Sequence, residues 1–450
     1  MSAGPILIVG AGPTGVGCAR ELVLLGHSDF EVLERADHAG GLASSVVDGA
    51  GFTWDLGGHV VFSHFGEFDR LLADVMGDDL LHHERSSFVR VADTWVPYPF
   101  QNNLHHLPPE MAEEALAGLV DAGGAEASRN DPLDFATWMH ATFGAGIVRQ
   151  FMRPYNEKVW AYPADVMSAS WIAERVSVVS WQQALHSVVH RRDSPGWGPN
   201  NLFSFPAVGG TGEIYRRAAA PLATHVRYGT AATQVRAGDH VLTTAAGDRH
   251  YAHLVWTGPL DVLVRLVVDA PADVVAAADL LVHNSVTMVG VGYEEPVTDD
   301  RSWLYFPEPD VPFYRATNFA KYSPANVPDS RTDRYSSWMT EVASSPWRPL
   351  DHEGLAERVD QSLRRAGLVS EDARVASVHV EHIDYAYPVP TLHRDAALAV
   401  IQPWLMAHDI HARGRFGAWR YELGNMDHAV KMGVDVARRL VDGTPEAAWA

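Results

Sequence analysis

Three glycines spaced as Gly10-x-Gly12-x-x-Gly15, followed by an acid at Glu34, are suited to holding a diphosphate. Gly10 permits a tight turn, Gly12 lets backbone approach a pyrophosphate, and Gly15 lets a helix pack closely on a sheet. Pro13 and Thr14 fall inside the same turn, where the first amides of a helix face bound phosphate. Glu34 stands 24 positions after Gly10, where a carboxylate at a strand end accepts ribose hydroxyls, and Arg35 follows it. Glycine-rich turns are common, and the context is what distinguishes this one: an apolar strand before it, a helix after it, then the acid. Two further glycine pairs follow, Gly40-Gly41-Leu42-Ala43-Ser44 and Asp55-Leu56-Gly57-Gly58-His59. They read either as ordinary turns or as places where backbone amides come close to the dinucleotide.

These residues need elements to hold them. The run Pro5 to Val9 is a strand, Val16 to Leu25 is a helix ending at Gly26, and Phe30 to Glu34 is the next strand, so the chain opens as a βαβ unit. From about residue 105 to 195 the reading is a largely helical insertion. Pro108-Pro109-Glu110 opens one helix, Asp134 caps another through Phe143, a further helix is expected from Asp165, and Asp121 to Asn130 forms a polar connection. Beyond Gly209-Gly210-Thr211-Gly212, short β-like runs recur at His225 to Tyr228, Leu254 to Trp256, Ser285 to Gly292 and Ser302 to Phe306. Val430 to Val441 reads as a closing helix.

Composition narrows the class. In 450 residues, 47% apolar and 20% charged is the profile of a globular chain with a sizeable core. The 56 acidic residues outweigh 35 basic ones, giving a net charge of −21, which repels nucleic acid and anionic membrane surfaces. An anionic small molecule would therefore need a local cluster of arginines. Cys18 is the only cysteine, so no intrachain disulfide and no cysteine-rich metal site are expected, consistent with the cytoplasm. The N-terminus lacks the charged region and cleavage site of a secretory signal, and no apolar run approaches the ~20 residues of a membrane span.

The glycine pairs resemble those of two-domain FAD proteins of the amine oxidase and mutase type. Further blocks narrow the resemblance to the UDP-galactopyranose mutase family, in its eukaryotic branch. They include Gly57 to His64, Trp95 to Asn103, Phe151 to Asn156, Lys158-Val159-Trp160 and Glu174-Arg175-Val176. Trp197-Gly198-Pro199-Asn200, Trp303 to Glu308, Pro312 to Thr317, Tyr387 to Leu392 and Gly414 to Glu422 continue the series in family order. The resemblance implies an α/β, two-domain FAD-binding Rossmann-like fold with a helical insertion and an antiparallel sheet domain. The dinucleotide unit would comprise 1–95, 205–265 and 386–450, with substrate regions at 96–204, mostly helical, and 266–385, containing the sheet.

It also implies redox-neutral chemistry, in which N5 of reduced FAD takes the anomeric carbon of a nucleoside-diphosphate hexose as a flavin-sugar adduct and the ring recloses as a furanose. Arg315 with Tyr305, Tyr387 and Tyr421 then matches a diphosphate clamp, for which the planar guanidinium fork is suited. Arg175, Asn200 and Asn425 match positions near sugar and flavin, while Tyr98, Phe100, Gln101, Asn156 and Trp160 match the nucleoside wall. Gly41, Leu42, Ala43, Gly57, Gly58, Val235, Arg415, Asn425 and Met426 are implied on the cofactor side. His59 has two readings, a general base or a residue that positions the Gly57-Gly58 loop against the flavin. Among Arg413, Arg415 and Arg420 at least one is structural, and Arg415 is favoured for the flavin; Trp138, Trp171 and Trp419 read as core. Partners implied are a nucleoside-diphosphate sugar and an external flavin reductant such as NAD(P)H, with neither nucleic acid nor membrane; a homo-oligomer is compatible.

Departures from the family pattern bear on the substrate. Glu157 stands where an aromatic residue is expected, Ser204 and Val208 where arginines are usual, and Met426 where glutamine is. A carboxylate at 157 can accept both donors of a guanine edge, so GDP-hexose is the alternative to UDP-galactose; equally, Glu157 can pair with Arg153 or Lys158. A flavin oxidase or desaturase on the same fold, and a catalytically silent nucleotide-binding homologue, are the competing functions.

Overall fold

The computed structural model describes residues 4–124, 134–172, 176–194 and 201–448. The first apolar run, Ile6–Val9, becomes the middle strand of a five-stranded sheet in the order Ile410–Ala412, His253–Trp256, Ile6–Val9, Phe30–Leu33, Val226–Arg227. Every pairing in it is parallel. Parallel strands require crossovers, and the crossovers cover both faces. On one face Pro13–Leu24, Gly212–Ala219 and Met426–Asp442 share a core through Val16, Leu22, Ile214, Val430 and Val434. Leu260–Leu266 and Arg394–Ala407 cover the other, with the antiparallel sheet Ala232–Arg236, Val241–Thr244, Gly247–His250 beside them. Met426–Asp442 carries Asp427 in its first turn and Arg439 in its last, complementing the helix dipole, and stops at the left-handed Gly443.

A second sheet stands over the first. Its seven strands run Arg374–Pro388, His283–Glu294, Ser336–Ser344, Arg315–Asn318, Trp303–Tyr305, Ser87–Val91, Thr94–Pro97. All neighbours are antiparallel except Trp303–Tyr305 with Ser87–Val91, which is parallel. Ser336–Ser344 is buried along its whole length, so it carries none of the in-out alternation of a half-exposed strand.

The helical stretch contains Pro109–Gly124, Phe135–Ile147, Arg153–Trp160 and Trp181–His190. Asp134 caps the second as expected, accepting from the Thr137 N–H at 2.7 Å. Among the described residues no helix starts at Asp165. Ala164–Val166 is one 3-10 turn that leads into extended backbone at Met167, and the next described helix, Trp181–His190, is capped by Ser180, whose capping box with Gln183 supplies the nucleation signal that Asp165 lacks. Of the polar connection, 121–124 completes a helix and 125–130 lies outside the described residues. Among the described residues no helix is long and apolar enough to cross a membrane.

Candidate active site

At the C-terminal end of Ile6–Val9 the backbone turns through Gly10, whose φ is +103°, a conformation that L side chains rarely adopt. A Cβ on Gly15 would lie 1.8 Å from the Gly10 carbonyl oxygen, so the turn closes only around glycine. Pro13 occupies the first turn of its helix, where no amide partner is lost. Glu34 is buried and accepts from the Ala11 N–H at 2.7 Å and the Ala36 N–H at 2.8 Å. The second glycine pair is tied to this turn, because the Gly40 N–H donates to the Ala11 carbonyl at 2.9 Å. Thr14 and Ala43 are buried at the same junction.

Asp55 accepts from the Ser45 hydroxyl and from the Thr211 hydroxyl and amide, joining three loops; burial pushes its carboxyl up to about 7 against those bonds. The buried Ser44 Oγ and His59 Nδ1 have no hydrogen-bond partner among the described residues. Two orphaned polar atoms beside a diphosphate turn fit a bound dinucleotide. Arg35 is exposed, and the Val235 side chain is wholly buried in the core, which leaves only its backbone to meet a ligand.

A cavity of about 1070 Å³ lies between the two sheets. Leu42, Gly57, Gly58, His59, Arg415, Asn425 and Met426 line its side nearest the dinucleotide turn. Tyr98, Gln101, Asn156 and Trp160 line the opposite wall, and Tyr305, Arg315, Tyr387 and Tyr421 the ground between. Phe100 is a correction: it has no exposed surface and packs on Phe151 at 4.9 Å, behind the wall and not in it. Arg175 and Asn200 lie outside the described residues. Trp171, read as core, is both buried and cavity-lining, stacking edgewise on Trp160 and Tyr421. Trp138 and Trp419 pack in hydrophobic clusters away from the cavity. Arg413 is buried and paired with Glu446 at 2.5 Å, whereas Arg415 donates to the Gly424 carbonyl at the cavity edge.

The sequence reading missed the hub of this site, Glu341. Strands Arg315–Asn318 and Ser336–Ser344 pair with Arg315 directly opposite Glu341, and the Arg315 Nη2 reaches both carboxylate oxygens at 2.7 and 2.8 Å. The same carboxylate accepts from the Gly58 N–H at 2.6 Å and from the Tyr314 hydroxyl. Glu341 thus joins the strand that carries Arg315 to the Gly57-Gly58 loop. Burial alone would raise its pKa, but the Arg315 charge and its other donors hold it below the usual value. The available signal was an acid in the middle of an apolar run, Trp338 to Ala343.

Arg85 was also missed. It lies over the rings of Tyr98 and Trp303 at 4.8 and 4.7 Å and donates to the Tyr305 hydroxyl at 3.0 Å. Burial raises the phenol pKa of Tyr98, Tyr155 and Tyr387, which keeps these rings neutral hydrogen-bond donors at physiological pH.

Burial, with Arg415 and Arg315 nearby, pushes His59 down to about 4 from 6.5, so the ring is neutral at pH 7. A neutral imidazole with so low a pKa is a weak base. In the unfolded chain His59 would take a proton near pH 6.5 that the fold refuses until about 4, so its contribution to stability is present above 6.5 and lost as pH falls toward 4. Thermal unfolding of His59→Asn is expected to depend less steeply on pH across that window than the parent does. Helix Met426–Asp442 begins at the cavity with Asn425 as its N-cap, directing the positive end of its dipole inward. Asp427 behind it accepts from the rings of His64 and His428 at 2.8 and 3.1 Å.

Comparison with known proteins bears on the fold and the family. The profile of the flavin-containing amine oxidoreductase family matches residues 13–441. A crystal structure of reduced UDP-galactopyranose mutase is 38% identical with a TM-score of 0.95, over 100% of this chain and 96% of that one. A putative protoporphyrinogen oxidase from Exiguobacterium sp. 255-15 is 16% identical with a TM-score of 0.76, over 98% of this chain and 99% of the other. A CLA-producing fatty acid isomerase from P. acnes is 16% identical with a TM-score of 0.69, over 98% and 100% respectively, and shows the fold alone, as the oxidase does.

Proposed function

The chain belongs to the UDP-galactopyranose mutase family, within the flavin-containing amine oxidoreductases, and on that premise we propose that it interconverts UDP-galactopyranose and UDP-galactofuranose with bound FAD and no net redox change. The observation that carries the reading is the single cavity holding both the Gly57-Gly58 loop and the Arg315 and tyrosine wall. Bound in its reduced form, the flavin supplies an electron-rich nitrogen nucleophile. The chain's own residues supply the rest. Arg315 and the hydroxyls of Tyr305, Tyr387 and Tyr421 hold the diphosphate and stabilise the charge that builds when the sugar bond breaks. The N-terminus of Met426–Asp442 favours negative charge on the group beside it. Neutral His59 and the Glu341 bond to Gly58 fix the loop against the cofactor. Arg175 and Asn200 are assigned near the sugar from the family resemblance alone, and the Tyr98, Gln101, Asn156 and Trp160 wall is assigned to the nucleoside.

The GDP-hexose alternative loses its residue. Glu157 binds Arg153 at 2.9 Å on the same helix and does not line the cavity, so the residue on which the guanine reading rested is engaged elsewhere. An oxidase would need an apolar channel, whereas this cavity is lined by Arg85, Arg315 and Arg415. The single cysteine, free and buried, is in keeping with a reducing compartment, and an external reductant such as NAD(P)H is assigned to the flavin.

The test is to incubate reduced protein, oxygen excluded, with UDP-galactopyranose and GDP-galactopyranose separately and to look for each furanose by chromatography. The expected result is a product from UDP only, with Glu157→Gln indistinguishable from the parent. A product from GDP alone would return the base assignment to GDP.

A further inference from the structure

A second group of functional side chains lies at the other end of the parallel sheet. His253 opens the strand His253–Trp256, and His411 sits in its parallel neighbour Ile410–Ala412, in register with Val255. Side chains two apart share a face, so His253 and His411 come to the same side of the sheet, and Asp409, in the turn just before Ile410–Ala412, is brought beside them. One ligand atom from each lies within 4.8 Å of the others. His253 Nδ1 stands 3.3 Å from Asp409 Oδ1 without completing a hydrogen bond to it. A fourth group arrives from the turn before Val241–Thr244, where His240 Nε2 is 3.8 Å from Asp409 Oδ2, its ring stacked on Tyr251.

Hydrogen bonding does not account for this arrangement. His411 is 4% exposed, and neither of its ring nitrogens has a partner among the described residues. A buried imidazole with both nitrogens unsatisfied carries a desolvation cost that the fold leaves uncompensated. The nearby charges balance: Arg413 and Arg439 both bind Glu446, and Asp409 carries the remaining negative charge toward the histidines. Three neutral imidazoles and one carboxylate are the donor set of a borderline divalent metal, for which zinc is the type case, and not of calcium or magnesium, which take oxygen. In a tetrahedral zinc site with bonds of about 2.0–2.1 Å, neighbouring ligand atoms are roughly 3.3 Å apart. The His253 to Asp409 separation has that value already, His411 lies within 4.8 Å of both, and His240, 3.8 Å from the other carboxylate oxygen, must move in from outside that group of three.

We propose that His240, His253, Asp409 and His411 form a four-coordinate zinc site. It is structural, because four protein ligands leave no open position for a substrate. It also lies far from the chemistry. His253 is in register with Ile6, at the start of the central strand, whereas the dinucleotide turn follows the end of that strand, and none of the four residues lines the cavity. The site pins the edge strand Ile410–Ala412 and the three-stranded sheet to the core of the parallel sheet.

The test uses the full-length, tag-free flavoprotein, dialysed against chelator and then loaded with zinc or with Co(II). One equivalent of zinc per chain is expected by elemental analysis after desalting, and Co(II) should give the visible bands of four-coordinate nitrogen and oxygen ligation. Zinc should raise the unfolding temperature of the parent. His411→Asn and His253→Asn, each checked for undiminished flavin content, should retain no metal and lose the bands and the thermal shift. His240→Gln provides a third variant should either fail to fold. His105→Asn, in a separate histidine and aspartate group, should retain everything. No metal in the parent, a six-coordinate Co(II) spectrum, or metal content insensitive to these variants or dependent on His105 would overturn the assignment.

Discussion

Arg315→Ala is expected to lower kcat/KM for the nucleotide sugar by roughly 10²- to 10⁴-fold, the equivalent of about 3–5 kcal/mol for breaking a buried ion pair. Two losses combine. The diphosphate loses its guanidinium donor, and Glu341, 2% exposed, is left as a carboxylate without its counter-charge, facing the anion it helped to bind. The double variant Arg315→Ala with Glu341→Ala should therefore recover part of the loss, because the stranded charge is gone. Flavin should stay bound in the single variant, since the hydrogen bonds that tie Arg315 to the Gly57-Gly58 loop run through Glu341. Loss of flavin with unchanged nucleotide affinity, measured by equilibrium titration, would mean that the arginine serves the cofactor instead.

Gly15→Val is expected to give a folded protein that purifies without flavin. Its Cβ would sit 1.8 Å from the Gly10 carbonyl oxygen, so the turn must open, and the N-terminus of Pro13–Leu24 moves from the position where its amides meet phosphate. Because Leu22 and Val430 still bury the helix against its neighbour, secondary structure by circular dichroism should change little while the flavin to protein ratio collapses. A full complement of flavin in this variant would place the diphosphate elsewhere.

What the sequence disclosed follows from how each signal is encoded. The βαβ opening was legible because a strand, a glycine turn, a helix and an acid lie within 34 residues, each with a local signature. Glu341 was not, because its meaning comes from a cross-strand partner 26 positions away and a glycine loop 283 positions away. Arg85 was hidden for the same reason, its partners Tyr98 and Trp303 being set by pairing between distant strands. Phe100 belongs to a motif whose polar members face the cavity, yet an aromatic side chain there gains more by full burial against Phe151. Asp165 has the composition of a helix start without the reciprocal cap that Ser180 and Gln183 provide. Glu157 pairs within its own helix, which four-residue spacing to Arg153 permits and sequence alone leaves open against a guanine contact.

The central claim, ring isomerisation by reduced flavin without net electron transfer, is tested most directly by counting turnovers. Protein whose flavin is reduced once, freed of excess reductant and kept from oxygen, is given UDP-galactofuranose, and UDP-galactopyranose formed is compared with flavin present. The account predicts many product molecules per flavin, a flavin still reduced at the end, and no product from the air-oxidised protein. Full activity of the oxidised protein, or peroxide formed in proportion to substrate consumed, would contradict it.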